Sequence, residues 1–116
     1  MIFVRGSVFF TPIELPNPEN PGLDLIQNKL IVILRDVKSE MRVPFLIASS
    51  LRSEDIRPFE VVVRQTESSF KADTVIDCRW PYTMTRARLE KGKFLFTLPD
   101  KIMAEINLGL VVGLQM

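Results

Sequence analysis

The stretch Lys93-Phe94-Leu95-Phe96-Thr97-Leu98-Pro99-Asp100-Lys101-Ile102-Met103-Ala104-Glu105-Ile106 changes period partway along. Lys93 to Thr97 is rich in residues that favour strands. From Thr97 the chemistry switches: Thr97-Leu98-Pro99-Asp100 sets a capping residue three positions before an acid, with a proline in the first turn. Ile102, Met103, Ile106 and Leu110 then fall at helical spacing. They predict one amphipathic helix of about three turns, ending near Gly109 or Gly113.

Outward from this switch, the rest of the chain reads as short strands. Ile2 to Phe10 is the first, with Gly6 as a bulge or close-approach point. Pro12 to Gly22 is so rich in proline that a long surface loop is expected. Leu30 to Leu34 is a continuous apolar run and reads as a fully buried strand. Asp36 to Arg42 turns the chain into a strand from Val43 to Ala48 that ends in Ser49-Ser50. A charged loop, Leu51 to Pro58, precedes strands at Phe59–Arg64 and Thr74–Cys78. Short strands followed by a single helix predict a mainly β domain, either a small barrel or a curved sheet with a helix laid on it.

The chain has 116 residues, so one domain spanning 1–116 is expected. Lys+Arg is 15 and Asp+Glu is 14, giving +1, with 47% hydrophobic and 25% charged residues. That balance excludes a disordered chain and a polybasic tail. Zero histidines and one cysteine, Cys78, exclude a Ser-His-Asp triad, a two-histidine ribonuclease mechanism, a thiolate/imidazole zinc site and an internal disulfide. No metal or cofactor is expected. The opening Met1 to Phe10 is interrupted by Arg5 and does not read as a secretory signal. The apolar stretch Leu108 to Leu114 is far short of the ~20 residues that span a bilayer. The expectation is a cytoplasmic protein without a membrane partner.

One region is electrically uneven. Arg79, Arg86, Arg88, Lys91 and Lys93 face a single acid, Glu90, with Trp80 and Tyr82 interleaved. Cations for phosphates beside flat rings for bases suit single-stranded nucleic acid. The same residues also read as a solvated hairpin whose charges blunt an edge strand, or, for Trp80 and Tyr82, as a dimer-interface pair.

The order of segments resembles the MazF/PemK/Kid family of toxins from type II toxin–antitoxin pairs. The residues that carry the likeness are Arg5-Gly6-Ser7-Val8, the polar approach Gln27-Asn28-Lys29, Ser49-Ser50 and Phe59-Glu60-Val61-Val62. Cys78-Arg79-Trp80-Pro81-Tyr82-Thr83-Met84 is similar to the Cys-x-x-Pro-x-Thr-Ile segment of the PemK/Kid branch. Pro99 to Ile106 is similar to that branch's final helix.

The resemblance implies an SH3-like β-barrel with a C-terminal α-helix, shared by CcdB and PemK, and a homodimer. It implies metal-independent, sequence-selective cleavage of single-stranded RNA, and a cognate antitoxin as partner. By the same resemblance Lys29, Ser49, Asp77 and Arg79 take the catalytic positions, with Ser50 as the alternative to Ser49 for the active hydroxyl, and Ser50, Phe59, Trp80, Arg86 and Arg88 contact RNA. Lys29 stands where the family has arginine, and Asp77/Arg79 reverse the family's Arg-x-Asp order. Residues two apart on a strand share a face, so the reversed pair still projects together. The alternative is a toxin fold without this chemistry, a binding module that poisons gyrase or only holds an antitoxin.

Overall fold

The computed structural model describes residues 2–15, 17 and 19–115. Its strands are β1 (Ser7–Leu15), β2 (Leu25–Ile33), β3 (Arg42–Ser50), β4 (Glu60–Val63), β5 (Thr74–Asp77), β6 (Tyr82–Thr85) and β7 (Lys93–Thr97). One helical turn, α1 (Arg86–Leu89), separates β6 from β7, and α2 (Asp100–Leu114) closes the chain. All ladders are antiparallel, in the order β4-β5-β3-β2-β1-β7.

β6 joins this sheet through β3, whose outer edge therefore has two neighbours. Arg42–Phe45 pair with β6 and Ala48–Ser50 pair with β5, while Leu46 and Ile47 fall between the two ladders.

Alternation along the strands sends successive side chains to opposite faces. On one face Val8, Val32, Leu46, Ala48, Val61, Ile76 and Cys78 pack with Ile102, Met103 and Ile106 of α2. On the other, Phe9, Ile31, Ile33, Val43 and Phe45 pack with Phe3, Val37, Met84 and Leu89. A central strand covered on both sides has no polar face, which is why Leu30–Leu34 is unbroken.

Several expectations are corrected. Among the described residues no ladder joins β4 to β7, so the sheet is open rather than a closed SH3-like barrel. Beyond its ladder with β5, β4 packs against α2. The first strand starts at Ser7, because the chain turns at Gly6, which has φ +88°. Phe3 instead makes an isolated bridge with Val37. The close approach at Gly6 is real: a Cβ there would meet Met103 Cγ at 3.3 Å.

β1 also runs on through Pro12, into the expected loop. Its pairing with β7 ends at Phe10, so Pro12 has a strand on one side only, where a missing N–H is tolerated. Of that expected loop, Pro16 and Pro18 lie outside the described residues. Gln27-Asn28-Lys29 belong to the exposed first half of β2 rather than leading into it.

The helix ends at Leu114, beside Gly113, the later of its two expected ends, and runs through Gly109; both glycines are also contact points. A Cβ on Gly109 would sit 2.8 Å from Cys78 Sγ, and one on Gly113 would sit 2.8 Å from the Cys78 carbonyl oxygen. Thr97 makes no cap because it is the last residue of β7, paired with Ser7; Pro99 holds the N-cap position. The cationic stretch after Cys78 is not a hairpin, since β6 pairs with β3 and β7 with β1.

Candidate active site

Beyond the second core cluster, the same face of the sheet continues as an open surface. Register places Ser49 opposite Val75 and Glu60 opposite Asp77. These side chains, with Ile47, Trp80 and Tyr82, line a cleft of about 300 Å³. The cleft lies at the break between the two ladders on β3, and the chain that crosses this break, Cys78 to Pro81, supplies one of its walls.

The geometry is most definite at Asp77 and Arg79. The Arg79 backbone N–H donates to Asp77 Oδ1 at 2.9 Å, Nη2 donates to Oδ2 at 2.9 Å, and Nε reaches Oδ1 at 3.3 Å. The guanidinium lies 4.0 Å above the centre of the Phe59 ring and 5.9 Å from that of Trp80. Partial burial pushes the Asp77 carboxyl up, but the hydrogen bonds and charge of Arg79 outweigh it and hold the acid below its ordinary value of 3.8. In turn Asp77 raises the Arg79 guanidinium above its ordinary value. At neutral pH the pair is ionic and closed on itself.

Between them, Cys78 points to the opposite face and packs beneath α2. Burial first, and the Asp77 charge second, push its thiol up to about 12. A thiol so placed is no nucleophile.

The other candidates divide. Trp80 is 62% exposed and stands free on the wall of the cleft. Lys29 lies one residue beyond the Leu30↔Ala48 pair, opposite Thr11. Alternation sets it on the Ser49 face, but not in the wall of the cleft. Ser50 borders an adjoining cleft with Arg52, Ser53 and Asp55, which shares Ser49, Glu60 and Val75 with the first.

Phe59 is buried, so it is the floor under Arg79 rather than a ring open to a base. Arg86 does not present its charge outward. Its side chain is 17% exposed, donates to the Val37 carbonyl at 3.3 Å and lies over the Phe3 ring, 3.9 Å from Glu90. It ties α1 to the N-terminal segment. Arg88 is on the surface, paired with Glu14 at 3.3 Å.

Two residues escape the sequence reading: Glu60, in the wall of the cleft, and Arg42, which lines a neighbouring cleft with Tyr82. Glu60 is the one acid in an otherwise apolar run, Phe59 to Val63, and that interruption is the signal that marks an outward position. Arg42 closes a polar turn and carries no such mark. Among the described residues, no group of three or more His, Cys, Asp or Glu side chains is placed to hold a metal ion. No helix among them is long and apolar enough to cross a membrane.

An open antiparallel sheet with one long C-terminal helix across a face is a MazF-like fold. An endoribonuclease solved in complex with its cognate antitoxin, from a mycobacterial species, superposes with a TM-score of 0.67 at 18% identity, covering 98% of this chain and 96% of that one. MazF from Deinococcus radiodurans superposes with a TM-score of 0.65 at 16% identity, covering 100% and 99%. No family model matches the sequence, and no curated protein matches it. The shared feature is thus the fold.

Proposed function

We propose that this chain is an endoribonuclease toxin that cleaves single-stranded RNA at short sequence motifs without a metal ion, and that a cognate antitoxin restrains it in the cytoplasm. A homodimer is part of the same reading. The observation that carries it is the meeting of Ser49, Asp77 and Trp80 in one cleft, with Arg79 locked to Asp77 at its edge, on a fold shared with an endoribonuclease.

Cleavage by the RNA's own 2′-hydroxyl needs a base for that proton, a counter-charge for the phosphorane and a proton for the departing 5′-oxygen. The 2′-oxygen attacks phosphorus, the P–O5′ bond breaks, and a 2′,3′-cyclic phosphate and a 5′-hydroxyl remain. Arg79 faces the phosphate, and Ser49 donates a hydrogen bond to a non-bridging oxygen. As the guanidinium turns from Asp77 toward the phosphate, the carboxylate loses the bonds that keep its basicity low and accepts the 2′-proton. Lys29, outside the wall of the cleft, adds positive charge on the same face, and the departing 5′-oxygen takes its proton from water in the open cleft. Trp80 offers its exposed ring to a base.

The test is incubation of the purified protein with single-stranded RNA in EDTA. Cleavage is expected. Arg79→Ala and Ser49→Ala are each expected to slow it by about 100-fold or more, the scale of losing one donor to a developing oxyanion. A folded protein that leaves RNA intact, or variants that keep full rate, would falsify the assignment and favour a binding module on the same fold.

A further inference from the structure

The candidate cleft is not isolated. Tyr82, in its wall, also lines a second cleft of about 200 Å³ with Arg42, Thr83, Arg88 and Glu14. Tyr82 stacks on Phe45, with ring centres 5.8 Å apart and planes 24° apart, so the partition between the two clefts is held by packing.

The cations near this trough differ in their commitments. Arg79 is paired with Asp77 and Arg88 with Glu14. Arg42 donates from Nε to Thr83 Oγ1 at 2.8 Å and from Nη2 to the Thr83 carbonyl at 3.1 Å. Both partners are neutral, and among the described residues Arg42 has no carboxylate within ion-pair distance. Two bonds to one residue fix the guanidinium without cancelling its charge. A positioned, uncompensated arginine in a polar cleft is suited to an anionic oxygen of phosphate type.

We propose that the cleft beyond Tyr82 is a subsite for a phosphate of the RNA chain that flanks the scissile one, with Arg42 as its cation and Tyr82 as the divider between neighbouring nucleotides. The inference rests on the nuclease reading for its ligand but not for its geometry. Arg42 is therefore a positioning residue, remote from bond breaking, that sets how RNA is threaded through the trough.

The experiment is fluorescence anisotropy with a non-cleavable 2′-O-methyl RNA oligonucleotide, titrated over a range of salt. Arg42→Ala is compared with Lys93→Ala, an exposed cation outside both clefts, and with Thr83→Val, which keeps the charge but removes the hydroxyl tether. Arg42→Ala is expected to weaken binding several-fold and to flatten the plot of log affinity against log salt by about 0.7, one phosphate's worth for a single strand. Lys93→Ala should change the slope by much less, and Thr83→Val should fall between. With cleavable RNA, KM should rise in Arg42→Ala while kcat holds.

A slope unchanged from the Lys93→Ala control overturns the subsite, as does a loss confined to kcat. RNA bound with an Arg42-dependent slope yet never cut leaves the subsite standing and removes the nuclease. RNA cut normally with no Arg42 dependence does the reverse. No binding at all removes both.

Discussion

Replacing Gly109 with alanine sets two well-measured effects against each other. In an ordinary helix interior the change stabilises by about 1 kcal/mol, because glycine is the poorer helix former. Here the new methyl would lie 2.8 Å from Cys78 Sγ and 3.3 Å from both Cys78 Cβ and Val61 Cγ2. Cys78 is fully buried, so sulfur and helix must part. Overfilling a packed core costs about 1–3 kcal/mol. With a contact this short the upper part of that range applies, and the net expectation is a loss of about 1–2 kcal/mol.

A double-mutant cycle isolates the cause. Cys78→Ala alone removes one buried heavy atom and should cost about 0.5–1.5 kcal/mol, like the loss of a methylene. In that background the sulfur is gone, and Gly109→Ala should turn neutral or stabilising. Urea unfolding of the four proteins, at one fixed protein concentration, reads all three differences from midpoint and slope. If Gly109→Ala stabilises the parent protein by the full helix-propensity value, α2 does not rest on Cys78 and the packing described above is wrong.

Other expectations concern charge and access. The folded value of Asp77 lies below its ordinary 3.8, so its contribution to stability is complete above about pH 4 and drains away as pH falls through the folded value. Asp77→Asn should flatten that acid limb of a stability-against-pH curve; an unchanged limb means the pair with Arg79 is not formed. Cys78, with its thiol pushed up to about 12, should resist alkylation at pH 8 in the native protein and react fully in denaturant. Rapid native labelling contradicts its burial. Arg88→Ala breaks only a surface pair and should shift stability by at most about 1 kcal/mol in thermal unfolding. The chain has a single tryptophan, Trp80, on the cleft wall, so binding of single-stranded RNA should alter its fluorescence, and an unperturbed spectrum at saturation places the RNA elsewhere.

The strands were legible wherever burial has one period. Lys93–Thr97 appears in the structure with the bounds read from sequence, and the apolar runs at residues 30–34, 43–48 and 74–78 all lie on strands but for their outermost residues. What escaped depends on partners that lie far off in sequence. Pro12 reads as a breaker until it is known that β7 stops short of it. Gly109 reads as a helix stop until Cys78 is placed beneath it, whereas α2 does end beside Gly113.

At the site, the Asp77/Arg79 pair was legible from its spacing of two, although Arg79 lies past the end of β5, where its N–H turns back onto Asp77 Oδ1. Phe59 and Arg86 read as RNA contacts because an aromatic and an arginine look alike in sequence whether they meet solvent or, as here, brace a neighbour. Arg42 was invisible as a ligand-binding candidate, because its distinction is the neutrality of Thr83, which no local pattern encodes.

The outer border of β3 serves two tenants, β6 at one end and β5 at the other, and Ile47 sits in the vacancy between them. Each tenant is secured by its own ladder. The four residues that bridge the vacancy, Cys78 to Pro81, carry no ladder of their own. Their outward side chains are thus the cheapest place in this architecture to exchange one chemistry for another, because a new side chain there asks nothing of the strand registers on either side.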